Sequence, residues 1–183
     1  MVDAITARRH TSNWLEQFVV GLNLCPFARP VLGSEQLQIT VCEDKSPRQL
    51  QRAFLLQLDE LQSTAEQDLA TALLVFTGAL EDFSDYLDFL DDCQQLLEGA
   101  GLEGLVQLAS FHPDYQFEGE DARGASRYSN RSPYPVIHLI REDMLARVLR
   151  DFPQPEQIPL TNIATLDNLG VEELEIRWQA LLD

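Results

Sequence analysis

Hydrophobic positions along the chain change period several times, and each change marks an element. Over residues 6–23, Trp14, Phe18, Val19 and Leu22 recur three or four apart, the period of a helix with one buried face that stops before Pro26. Residues 37–42 alternate between two faces, with Leu37, Ile39 and Val41 together on one, which predicts a strand. Ser46-Pro47-Arg48-Gln49 places a capping serine before a proline, with a glutamine three residues after the cap, and so predicts the start of a helix. Its stripe of Leu50, Phe54, Leu58 and Leu61 carries that helix to about Thr64. Residues 71–76 are apolar on both faces, as in a strand buried inside a sheet. A helix over 81–98 follows, with Phe83, Leu87, Leu90, Cys93 and Leu97 expected inward and Gly99 and Gly101 just past its end. A third strand is predicted over 105–110.

The next stretch breaks the rhythm. Residues 111–135 form a connection far beyond the usual four to six residues, and its aromatic side chains Phe111, Tyr115, Phe117, Tyr128 and Tyr134 give it the means to order itself. Residues 136–140 then read as a fourth strand, although Val136, Ile137, Leu139, Ile140, Met144 and Val148 also suit one continuous helix opened by Pro135. A helix over 142–152 and two short ones over 159–168 and 171–182, separated by Gly170, complete the chain. Strand, helix, strand, helix, strand is the order of right-handed crossovers. The expectation is therefore a single α/β domain over residues 1–183, a sandwich with a mainly parallel sheet of about four strands flanked by helices. A ferredoxin-like α+β arrangement, antiparallel across the long connection, is the alternative.

Composition narrows the function classes. The 183 residues are 45% hydrophobic, enough for a substantial core. No run approaches the length of a membrane-spanning helix, and the charged start lacks the apolar core of a secretory signal, so a cytoplasmic location without membrane contact is expected. A formal charge of −17 disfavours nucleic acid as a partner. Cys25, Cys42 and Cys93 are too few and too scattered for a disulfide framework.

Against that acidity, residues 122–141 hold Arg123, Arg127, Arg131 and Arg141 and no Asp or Glu. Guanidinium forks match carboxylate or phosphate oxygens, which suggests a small anionic ligand. Arg123 and Arg127 have neighbouring carboxylates to pair with, at Asp114, Glu118, Glu120 and Asp121. Arg131 lies in the turn-forming Ser129-Asn130-Arg131-Ser132-Pro133-Tyr134-Pro135, which presets its direction.

Cys25 is the cysteine least explained by core packing, and nearby Arg29 could lower its pKa. With His112, at the carboxyl end of the third strand, it would make a nucleophile and base. Burial is the competing reading for Cys25, and a turn, His112-Pro113-Asp114-Tyr115, for His112. Cys25, His112 and His138 could alternatively ligate a metal, although their spacing matches no metal motif and a histidine between apolar neighbours is more often a hydrogen-bonded core residue.

The blocks GLNLCPFARPV, FHPDYQF, NRSPYPVIHLIRE and IPLTNIATLDNLG resemble the bacterial proteins catalogued as domain of unknown function 1415, over nearly the whole chain from about Trp14 to Gly170. The resemblance implies no activity or cofactor. It marks Cys25, Pro26, His112, Tyr115, Asn130, Arg131, Ser132, Tyr134 and His138 as recurrent motif positions. Between Gly119 and Arg127 the chain departs from that pattern, which detaches Arg123 and Arg127 from it.

Three readings follow. The first is an enzyme acting on a small anionic metabolite, with Cys25 as nucleophile, His112 as acid or base, and Asn130, Arg131, Ser132, Tyr134 and Tyr115 around the substrate. The second is a noncatalytic binding or adaptor protein, and the third a metal-binding protein using Cys25, His112 and His138. Cofactor and oligomeric state are left open.

Overall fold

The computed structural model describes residues 2–121, 123–150 and 152–183. Met1, Ala122 at the head of the arginine-bearing stretch, and Asp151 in the helix expected to reach Phe152 lie outside them. Four strands form one sheet in the order β1-β2-β4-β3, with β1 Leu37–Cys42, β2 Thr71–Phe76, β3 Val106–Phe111 and β4 Val136–Arg141. The competition over 136–140 is thus resolved as a strand. β1 and β2 are parallel, whereas β4 runs antiparallel to both β2 and β3. The sheet is mixed, which corrects the mainly parallel expectation.

The reason lies in the long connection. A parallel neighbour requires a crossover, normally a helix, and the described residues of 112–135 contain only the 3-10 turn Ser126–Ser129. The chain leaves β3 at its carboxyl end and returns at that same end, which places β4 antiparallel between β3 and β2. The antiparallel pairing of the ferredoxin-like alternative and the parallel crossover of the sandwich are therefore both present, in different halves of the sheet.

Helices cover both faces. α1 (Ala4–Trp14) continues as a π-helical stretch, Leu15–Val20, that buries Leu15, Phe18 and Val19. α2 (Pro47–Ser63) buries Leu50, Phe54, Leu58 and Leu61 as its stripe predicts. Ser46 precedes it in extended conformation but makes no side-chain capping bond; its carbonyl accepts from Gln49 and Leu50 instead. α3 (Phe83–Gly99) turns Tyr86, Phe89, Cys93 and Leu97 inward and leaves Leu87 exposed, a face rotated from the expected one. Asp82 fixes that start by accepting from the amides of Ser84 and Asp85. α4 (Glu142–Arg150) has no buried residue. α5 (Ile158–Ala180) contains Gly170 at φ 77° and ψ 157°, a non-helical conformation open to glycine that divides it where two helices were expected.

Strand alternation sorts the core into two layers. α2 and α3 share one face because both connections step in the same direction across the sheet, and crossovers of one hand then fall on one side. There they pack on Leu74, Phe76, Ile137 and Leu139. The opposite face presents Ile39, Leu73, Val75 and Val136 to the π-helical stretch and α5. Among the described residues no helix is long and apolar enough to cross a membrane.

Candidate functional site

The α5 face of the sheet is not filled. Between it, the segment 24–37, α4 and the start of α5 lie two adjoining cavities of about 470 and about 580 Å³. Both are lined by Leu15, Cys25, Ala28, Leu73 and His138. The smaller extends toward Phe111, Phe117, Asn130 and Asn162, the larger toward Phe27, Ile140, Met144 and Val148. The π-helical stretch supplies Leu15, and such stretches are frequent at functional sites. Among the described residues lining either cavity there is no Lys or Arg.

His138 is the polar group at the floor. It sits on the inner strand β4, opposite Leu73 of β2 and Ala109 of β3. Its Nε2 lies 2.5 Å from Thr71 Oγ1, and that hydroxyl also lies 2.9 Å from the Leu139 carbonyl. A carbonyl can only accept, so the Thr71 proton goes to Leu139 and His138 donates its Nε2 proton to the Thr71 oxygen. This leaves Nδ1 as an unprotonated acceptor. Among the described residues it has no protein partner, yet it is not one of the sealed, unsatisfied polar atoms, and the residue lines both cavities. Burial lowers the imidazole pKa to about 4, so the ring is neutral at physiological pH.

Cys25 borders the same space from above. Burial raises its thiol pKa, and the Phe27 and Ala28 backbone amides directed at the sulfur offset only part of that effect. Arg29 is exposed and lines neither cavity.

The other candidate residues have structural partners. His112 is fully buried, with its ring beside those of Phe83 and Tyr86 of α3, and Phe83 in turn packs on Tyr115. Its Nδ1 accepts from the Asp114 amide at 3.0 Å, so Nε2 carries the proton and donates to the Leu80 carbonyl at 2.9 Å. Burial lowers its pKa as well. Its backbone receives the Ser132 amide and donates to Asn130, which ties both ends of the long connection together. The structure does not bring Cys25 and His112 together. The metal reading gains no support: both ring nitrogens of His112 are engaged, and among the described residues no group of three potential ligands is placed to hold a metal ion.

Arg131 is held on every side. Its Nε donates to the Pro113 carbonyl, and its Nη1 lies 2.7 Å from both the Tyr128 hydroxyl and Glu175 Oε2. The guanidinium stacks 4.4 Å from the Trp178 ring and 4.9 Å from that of Tyr128, so it locks α5 onto the long connection. Hydrogen bonds from Tyr128, Gln179 and Arg131 hold the Glu175 carboxylate down at about 2, against the opposing effect of burial. Ser132 donates to the Tyr134 carbonyl, and Tyr115 packs on Phe83 and Phe117. Arg141 donates to the carbonyls of Leu61 in the last turn of α2 and of Thr64 and Leu69 beyond it. Neither Arg123 nor Arg127 forms one of the described ion pairs. Of the expected substrate residues, only Asn130 lines either of these two cavities, with its amide nitrogen committed to the Ser110 carbonyl.

His10 carried no role in the sequence reading. Arg9 can only donate to its Nε2, so its Nδ1 proton goes to the Tyr134 hydroxyl at 2.7 Å, and the two rings stack. Its signal was available: His10 lies four residues before Trp14, on the buried face of the same helix. Thr71 was hidden in an apolar run, where a threonine reads as a strand former.

No curated protein and no solved structure matches the chain. The family model described as "Protein of unknown function (DUF1415)" matches residues 6–176, almost the full length, and the chain therefore belongs to that family.

Proposed function

We propose that this protein binds a small, uncharged and largely apolar molecule in the paired cavities. The observation that carries the reading is the shared wall of Leu15, Cys25, Ala28, Leu73 and His138, which joins two spaces of ligand size inside a sheet-and-helix layer that would otherwise be closed. The lining is mainly aliphatic and aromatic. Among the described lining residues no Lys or Arg stands ready to compensate a buried anion, and transferring an unpaired carboxylate or phosphate there would be very costly. Catalysis through Cys25 is less well supported, because its surroundings favour the neutral thiol.

The experiment is a titration with Nile red, a neutral dye whose emission reports an apolar environment. Wild-type protein should bind it saturably, and Ala28→Trp, which fills the shared wall from a loop position, should lose binding while keeping its circular dichroism and cooperative unfolding. Saturable binding that is unchanged in a folded Ala28→Trp variant would overturn the reading, as would absence of binding to the wild type.

A further inference from the structure

Polar side chains around the cavities are mostly committed to protein partners. In the smaller, Ser126 donates to Glu120 and Ser129 to Asn130, while the Asn162 amide donates to the Leu24 carbonyl. In the larger, the Glu66 carboxylate is paired with Arg147 and Thr71 is committed to Leu139. His138 differs from these. One ring nitrogen is fixed by Thr71, while the other is an acceptor without a protein partner among the described residues, on a side chain that lines both cavities.

That geometry defines a chemical class. An unprotonated imidazole nitrogen in an apolar surround needs a donor from whatever fills the space, and a ligand without one leaves the nitrogen desolvated and unpaired. An alkylamine would carry its own charge into a cavity whose carboxylates are already engaged. A carboxylate has no proton to offer. A hydroxyl remains neutral and supplies the single donor required. Resting on the binding reading above, we propose that His138 Nδ1 selects an apolar alcohol or phenol by accepting the hydrogen bond of its hydroxyl group.

Three probes of similar size separate the possibilities: n-decanol, its isomer methyl nonyl ether, which lacks the donor, and decanoate, which is anionic. Each is measured by displacement of Nile red. Wild-type protein should bind decanol about tenfold more tightly than the ether, the value of one hydrogen bond at about 1.4 kcal/mol. Decanoate should bind more weakly than decanol. In His138→Phe the decanol-to-ether ratio should fall to about one, whatever the absolute affinity of the variant for the dye, whereas His138→Gln, whose amide oxygen can accept, should restore part of it.

A second readout needs no variant. The ¹⁵N resonance of His138 Nδ1 in wild-type protein should move on addition of decanol and stay in place with the ether. Equal affinity for decanol and ether, an Nδ1 resonance insensitive to decanol, or preference for decanoate would each overturn the inference while Nile red binding kept the cavity reading intact. Failure of every probe, Nile red included, would remove both.

Discussion

Each face of the sheet carries a histidine, His112 fully buried and His138 half-buried, and the two are treated differently. Against α3, His112 has one nitrogen on the Asp114 amide, the other on the Leu80 carbonyl, and aromatic rings over its surface. Facing the π-helical stretch and α5, His138 has one nitrogen on Thr71 and the other without a protein partner among the described residues, and its side chain lines both cavities. The same contrast runs through the surrounding layers. The α2–α3 side closes over Leu74, Phe76, Tyr86, Phe89, Ile137 and Leu139, all buried, while the other side leaves two cavities and a helix, α4, with nothing buried. Burial of a polar residue thus says little about its role until each of its donors and acceptors is accounted for.

Truncations should expose this difference most strongly. Tyr86 is fully buried, and its hydroxyl donates to the Val136 carbonyl while accepting from the Phe111 amide, which joins α3 to the ends of β3 and β4. Tyr86→Ala should cost about 4 kcal/mol in urea denaturation. Leu145→Ala, at a cavity wall already bordering open space, should cost only about 1 kcal/mol. Equal costs at the two sites would break the comparison.

An intermediate effect is expected where the long connection meets α5. Arg131→Met keeps a long side chain over Trp178 and Tyr128 but removes the partner of Glu175, and should cost about 2 kcal/mol. Glu175 is partly exposed, so solvent screening limits the electrostatic share. Its folded pKa of about 2 lies below the ordinary 4.5, so its contribution is present above pH 4.5 and is lost as pH falls toward 2. In Arg131→Met that acid slope should become shallower without vanishing, because the Tyr128 hydroxyl still donates to the carboxylate.

Much of the fold was legible in the sequence. β1 and β2 emerge with the bounds that their alternation and apolar run predict, and α2 buries the four residues of its stripe. These signals are local. The placement of β4 is not: whether a strand pairs in parallel or antiparallel depends on where the preceding connection returns, and only the lack of a crossover helix in 112–135 hinted at it. The site was harder still. Cys25 and His138 were both singled out, but a parallel sheet made His112 the natural edge residue and drew attention away from the inner strand. Arg131 looked like an anion ligand because its partners Glu175 and Trp178 lie more than forty positions away in the chain.

The titration of His138 tests its burial without any ligand. The pKa of about 4 lies below the ordinary 6.5, so between those values the unfolded chain takes up a proton that the folded chain refuses. Stability should therefore fall as pH is lowered through that window. His112 and His10, also lowered by burial, contribute in the same direction. His138→Phe should show a smaller loss than wild type between pH 6.5 and 4 in urea midpoints, and identical profiles would mean that the imidazole reaches solvent freely.

The smallest effect belongs to α4, where the cavity is enclosed by the least anchored helix. Met144, Leu145 and Val148 turn toward the larger cavity, and the Arg147–Glu66 pair at its edge is exposed at both partners. Such a pair contributes little, so Arg147→Ala should change stability by about 0.5 kcal/mol or less. Local opening depends on how many buried contacts hold a segment, and here α4 differs from α3, whose buried face includes Tyr86, Phe89, Cys93 and Leu97. Amide hydrogen exchange should accordingly be faster along α4 than along α3, and faster again along α4 alone in Arg147→Ala. Occupancy of the cavity by Nile red should slow α4 and leave α3 unchanged, since only α4 borders the bound dye. Slowing spread evenly over both helices would instead mean that the two faces behave as one cooperative unit, and the contrast between them would be one of packing without consequence for motion.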